Sequence, residues 1–137
     1  MSYLLDTNAC IRILNGTSDS LVSRLRREGP SVVKLSAVVK AELLFGARKS
    51  SRVEKNLTLL AKFFEPFEGV AFDDSSAEHY GLIRADLERE GRPIGPNDLL
   101  IAATARAHDS TLVTRNTDEF RRVVALRLEN WEDESAE

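Results

Sequence analysis

Cysteine occurs once in the chain, at Cys10, and histidine twice, at His79 and His108. A single thiol excludes an intrachain disulfide and a thiolate zinc cage, and it suits a reducing compartment. The histidines fall on separate helical stretches with no ligand spacing around either, so zinc is disfavoured. Aromatic residues make up 7% of the chain, which leaves no evident platform for stacking bases. No apolar run approaches the ~20 residues that cross a bilayer, and Met1-Ser2-Tyr3 has neither the basic nor the apolar stretch of a secretion signal. A cytoplasmic protein without membrane contact is expected. Positive charge is not in excess either. A net charge of −3 excludes a protein that grips nucleic acid with its whole surface and leaves only a local basic patch, effective within about 8 Å. The G-x-S-x-G elbow, the P-loop and the G-x-G-x-x-G turn are all missing.

What is present fits one compact domain. A chain of 137 residues buries roughly 68% of the surface that its unfolded form exposes. Short apolar or β-branched runs predict strands at about 3–6, 32–36, 68–72, 111–114 and 125–128. Helical periodicity fills the gaps, at 8–15, 19–28, 37–49, 52–64, 75–90 and 96–109, with a short turn of helix over 117–122. Ser36 and Asp73-Asp74 offer caps, Gly29-Pro30 stops a helix, and Pro96 suits the first turn of the next. Strands alternating with helices predict an α/β fold, a mostly parallel central sheet of about five strands covered by helices on both faces. The domain is expected over 1–131, and the acidic run 132–137 reads as a tail with little to bury. Val53, Leu57, Leu60, Ala61 and Phe64 share a helix face that reads as core packing.

Three acids stand in odd surroundings. Asp6 follows the first strand and precedes a helix, the place where open α/β sheets bind ligands; with Thr7 and Asn8 it is also a competent helix cap. Glu42 shares a helical face with Val38, Val39, Phe45 and Gly46, and Asp98 with Ile101 and Ala102. A carboxylate on an apolar stripe is costly unless it is paired or bound to metal. A buried arginine could rescue Glu42, and Asp98 could serve the dipole of its own helix. Clustered carboxylates repel one another and invite a divalent cation, with Mg²⁺ or Mn²⁺ the natural guest for an all-oxygen site. After the fourth strand come Thr114, Asn116 and Asp118, whose oxygens can serve such a site directly or through water. Asn116 with Glu119 also makes a fair capping box.

Leu5-Asp6-Thr7-Asn8, Ala41-Glu42-Leu43 followed by Gly46-Ala47, Gly95-Pro96-Asn97-Asp98 with Ile101-Ala102, and Val113-Thr114-Arg115-Asn116 occur in that order. In these motifs the chain resembles the PIN-domain ribonucleases, more narrowly the VapC toxins of bacterial toxin–antitoxin pairs, from about residue 3 to Trp131. The resemblance implies a PIN-like nuclease domain and cleavage of RNA dependent on Mg²⁺ or Mn²⁺. It also implies a homodimer, a small VapB-like antitoxin lying across the active site, and contact with operator DNA only through the antitoxin complex. Structured RNA, often tRNA, is the implied target. Asp6, Glu42 and Asp98 match the family's three core acids; Asn116 stands where many members carry Asp. The neutral amide leaves one or two metal ions per site open, and Asp118 is placed to compensate.

Arg92 and Arg115 border the expected site and could hold the RNA backbone or an acidic antitoxin tail. The rival from another class is a catalytically silent PIN-like module that binds RNA or protein. Receiver and dehalogenase-type phosphatase readings fail on the single Asp6 and on Asn8 where Asp-x-Asp would be needed.

Overall fold

The computed structural model describes residues 1–132. The expected tail therefore lies outside the described residues except at Glu132, whose carboxylate takes the Arg12 Nε–H at 2.6 Å. In chain order the elements are β1 (Tyr3–Leu5), α1 (Thr7–Asn15), α2 (Asp19–Glu28), β2 (Val33–Ser36), α3 (Ala37–Lys49) and α4 (Val53–Phe64). They continue with β3 (Glu68–Val70), α5 (Asp74–Arg89), α6 (Pro96–Ala107), β4 (Thr111–Val113), α7 (Thr117–Phe120) and β5 (Leu128–Glu129).

All five strands are parallel, in the order β3-β2-β1-β4-β5. Every residue of β1 and of β4 is buried, as a strand covered on both faces requires. The chain leaves β1 toward β2 and β3 and returns on the other side at β4. The carboxyl ends of β1 and β4 thus flank the point where strand order reverses, the usual ligand crevice of such sheets.

Local chemistry accounts for the boundaries. Ser36 accepts the Val39 N–H at 3.2 Å to open α3, and Asp73 the Ser76 N–H at 2.9 Å to open α5. Gly16 closes α1 at φ 65°, a left-handed conformation that turns the chain directly into α2. The core joins Leu4, Leu5, Leu35 and Leu112 of the sheet to Leu21, Val39, Ile83 and Ile101 of the helices. On α6, Ala102, Ala103 and Ala105 are fully buried, and their small size lets α5 pack closely alongside.

Three expectations need correction. The last strand begins at Leu128 rather than 125, because Ala125 has φ 63° and interrupts extension before pairing starts. The short helix ends at Phe120, where Arg122 N–H→Glu119 and Val123 N–H→Phe120 bonds tighten the chain into turns. On α4 only Leu60 is buried; Ala61 is exposed, so that face is a partial core stripe.

Candidate active site

The register of β1 against β4 sets Leu5 opposite Val113, so Asp6 and Thr114 leave the sheet side by side. Asp6 is 5% exposed. Its Oδ1 accepts the Ala9 N–H at 2.8 Å, capping α1, and its Oδ2 accepts the Thr114 hydroxyl at 2.6 Å. The cap and ligand readings of Asp6 therefore do not compete. The cap fixes the carboxylate's direction at the crevice. Burial raises the Asp6 pKa, and the bonds from Thr114 and Ala9 together with the positive charge of Arg12 pull against that rise.

Glu42 extends from the middle of α3. The buried face of that helix is Val39, Leu43 and Ala47, whereas Phe45 is 66% exposed, so Glu42 sits at the margin of the apolar stripe rather than on it. Its Oε1 accepts the Thr7 hydroxyl at 2.6 Å and its Oε2 the Asn97 amide at 3.0 Å. Two neutral donors from the first turns of α1 and α6 thus aim it. Among the described residues, neither Glu42 nor Asp6 nor Asp98 has a lysine, arginine or histidine within ion-pair distance, and no buried arginine rescues Glu42.

Asp98, in the first turn of α6, is pushed up to about 6, first by burial and then by the negative charge of Glu119, with smaller repulsion from Asp6 and Glu42. Glu119 is itself desolvated, yet it is held below the usual glutamate range. Its Oε2 accepts the Asn116 amide at 2.6 Å and its Oε1 the Gly95 N–H at 3.2 Å, and Asp98 and Arg122 add to the effect. Of the two, Asp98 is therefore the one that takes up a proton first as pH falls.

Asp6, Glu42, Asp98 and Glu119 form one electrostatic unit. Asp98 feels the negative charge of the other three, yet among the described residues no three acids, histidines or cysteines stand close enough together to hold a metal ion as they are placed. The donor set is all oxygen, the chemistry taken by Mg²⁺ or Mn²⁺, hard cations that keep several waters and need only one or two carboxylates directly.

Thr7, Thr114 and Asn116 all enter this network, Asn116 through Glu119 and through its N–H to the Thr114 hydroxyl at 3.0 Å. Asp118 does not. Its side chain is 95% exposed and faces Arg121 at 3.2 Å. Asn8 is exposed on α1, and Arg92 and Arg115 are exposed in their loops. Two residues escaped the sequence reading as members of the site. Glu119 had the signature of a capping acid, but the Asn116 side chain caps nothing and Glu119 reaches across to the Gly95 loop. Asn97 carried no signal beyond adjacency to Asp98.

Comparison with known proteins places the fold in a family. The family model described as the PIN domain matches residues 3–126. "Ribonuclease VapC2" of Rickettsia felis is 41% identical over 133 residues, covering 96% of this chain and 99% of its own. The "tRNA(fMet)-specific endonuclease VapC" of Shigella flexneri is 39% identical over 131 residues, covering 96% of this chain and 98% of its own. The crystal structure of VapBC2 from Rickettsia felis bound to a DNA fragment from their promoter superposes with a TM-score of 0.89 at 40% identity, over 96% of this chain and 99% of that one. The chain belongs to the PIN-domain family and, within it, to the VapC ribonucleases.

Proposed function

We propose that the chain is the toxin of a VapBC-type pair, an endoribonuclease that hydrolyses a phosphodiester bond of structured RNA at the Asp6–Glu42–Asp98–Glu119 cluster. The observation that carries this reading is the assembly of four carboxylates at the strand-order reversal, none of them in an ion pair among the described residues. An RNA phosphate could not approach so negative a site unaided. Asp6 and Asp98 would hold Mg²⁺ or Mn²⁺ directly, with Glu42 and Glu119 directly or through water. When bound, the ion lowers the pKa of a water and offsets charge on the phosphate, and a second ion would assist the leaving oxygen.

The residues supply orientation and proton control. The ionised form of Asp98 would be favoured beside a bound cation, and Glu42 and Glu119, each fixed by two donors, would accept hydrogen bonds from the attacking water. Water gives up a proton to solvent as it adds to phosphorus, the bond to the 3′-oxygen breaks, and that oxygen takes a proton from solvent as it leaves. The products carry 5′-phosphate and 3′-hydroxyl ends. Asp118 is not assigned a metal contact.

The name of the Shigella flexneri relative makes tRNA the substrate class to test first. For a VapB-like antitoxin, the support is a groove of about 370 Å³ between α1, α3 and α4, lined by Ile11, Leu14, Leu43, Leu59 and Leu60 and ending at Glu42. A segment lying there reaches the site. Operator DNA is contacted through that complex. A homodimer is proposed from family membership alone. A cytoplasmic location is consistent with the absence, among the described residues, of any helix long and apolar enough to cross a membrane.

The test is cleavage of a small-RNA pool with Mg²⁺, with Mn²⁺ and with chelator, beside Asp6→Ala and Asp98→Asn. Discrete cuts that need the metal and both acids are expected. No cutting would favour the silent binding module, and cutting untouched by either substitution would point to a contaminating nuclease and against this site.

A further inference from the structure

We infer that Arg12 and Arg115 form a subsite for an RNA backbone phosphate beside the acid cluster, with Glu132 as the residue that positions Arg12. This rests on the ribonuclease reading above. A polar cleft of about 420 Å³ opens where the α1–α2 turn meets the segment after β4, lined by Arg12, Thr17, Ser18, Arg115 and Glu132. It adjoins the catalytic space. Arg115 lies between Thr114 and Asn116, both tied to that cluster, and the charge of Arg12 acts on Asp6.

Glu132 binds Arg12 through Nε at 2.6 Å and Nη2 at 2.5 Å, with side-chain exposures of 7% for Glu132 and 21% for Arg12. A two-point grip on one edge of the guanidinium fixes its plane, and among the described residues the Nη1 edge has no partner. Arg115 is exposed, and among the described residues no carboxylate pairs with it. Asp19 also borders the cleft. Four carboxylates at the reaction centre repel the strand that must enter it. Cations beside that centre offset the repulsion, and a fixed arginine loses little freedom on binding.

The experiment is a salt titration of the binding of fluorescently labelled unfractionated bacterial tRNA to the whole protein in chelator, where cutting is stopped. The variants are Arg115→Ala, Arg12→Gln, Arg12→Lys and Glu132→Gln, with the remote Lys62→Ala as control and folding checked by circular dichroism. Each arginine removed lowers the slope of log affinity against log salt by about 0.7–0.9 and weakens binding roughly three-fold or more at low salt. Arg12→Lys keeps most of the slope but binds less tightly, and Glu132→Gln weakens binding as the lysine variant does. In steady-state cleavage with Mg²⁺, Arg115→Ala raises KM with kcat retained. Wild-type affinity and slope in Arg115→Ala and Arg12→Gln would overturn the subsite, and tighter binding by Glu132→Gln would show that Glu132 competes with phosphate. An inactive wild-type protein would defeat the nuclease reading while leaving the binding slopes to be read.

Discussion

Thr114 gives its hydroxyl proton to Asp6 Oδ2 over 2.6 Å and receives the Asn116 N–H at 3.0 Å. One buried hydroxyl thus ties the end of β4 to the end of β1 and starts the turn that carries Asn116 and Glu119 into the site. Thr114→Val keeps the shape and removes both bonds, leaving a buried carboxylate oxygen without its donor. The expected cost is about 1–3 kcal/mol in denaturant unfolding. Nuclease activity should fall about 10- to 100-fold, as for loss of a group that orients a ligand. Thr114→Ser should recover most of both. A valine variant as stable and active as the parent would remove Thr114 from the site's support.

The raised pKa of Asp98 has a direct consequence for stability. Its carboxyl holds a proton more tightly in the folded chain, at about 6, than at the ordinary value of 3.8. The stabilisation from that protonation is complete below the ordinary value and is lost as pH rises through 6. Asp98→Asn escapes the loss. In chelator the variant should melt progressively higher than wild type between pH 4 and pH 7, with the difference level above that. Saturating Mg²⁺ should then raise the wild-type midpoint by linkage and leave the variant nearly unmoved. Equal midpoints at pH 8 in chelator would contradict the crowding of acids around Asp98.

Most of the scaffold was legible because each signal was local. Ser36, Asp73, Gly29 and Pro96 mark boundaries by backbone chemistry, and short apolar runs between helical stretches specify a parallel sheet. Asp6 could be placed because the end of an N-terminal strand is a topological position as well as a sequence position. Glu119 was not legible. Its spacing from Asn116 satisfies a capping box, and only the folded path of the 91–95 loop shows that its carboxylate goes to Gly95 and Asp98 instead. Asp118 failed in the opposite direction. It has the right chemistry, but on a short helix its neighbour one position on faces the site and Asp118 faces solvent. The apolar setting inferred for Glu42 misjudged which side of α3 is buried, since helical periodicity identifies neighbours without saying which face meets the core.

Adjacent acids on α7 therefore separate cleanly by experiment. Asp118→Asn should leave cleavage and Mg²⁺ dependence within about two-fold of wild type, in keeping with a fully solvated pair of little energetic weight. Glu119→Gln should lower cleavage about 10- to 100-fold and raise the Mg²⁺ concentration needed for half-maximal rate. It should also bring the Asp98 pKa down, because the nearest negative charge is gone. A Mg²⁺ titration of single-turnover rates distinguishes the two positions. Reversal of the pattern would return Asp118 to the metal site.

Trp131 links packing to function at the sheet's edge. It is 5% exposed, meets Tyr3 of β1 edge-on at 5.1 Å between ring centres, lies under Arg24 at 4.8 Å, and donates its indole N–H to Glu129 at 2.9 Å. β5 is only two residues long, so ladder bonds alone hold it weakly, and the indole supplies much of what fixes the strand. Trp131→Ala should cost about 3–5 kcal/mol, the range for removing a large buried aromatic. Trp131→Phe keeps most of the buried area and should cost much less. Because Glu132 follows directly and grips Arg12, loosening the indole should also free that arginine. The alanine variant, measured at a temperature where it remains folded, should therefore bind tRNA less tightly than the phenylalanine variant while keeping most of its salt dependence, because Arg12 loses its positioning but not its charge. Equal affinities would mean that Arg12 is held without help from the end of the chain.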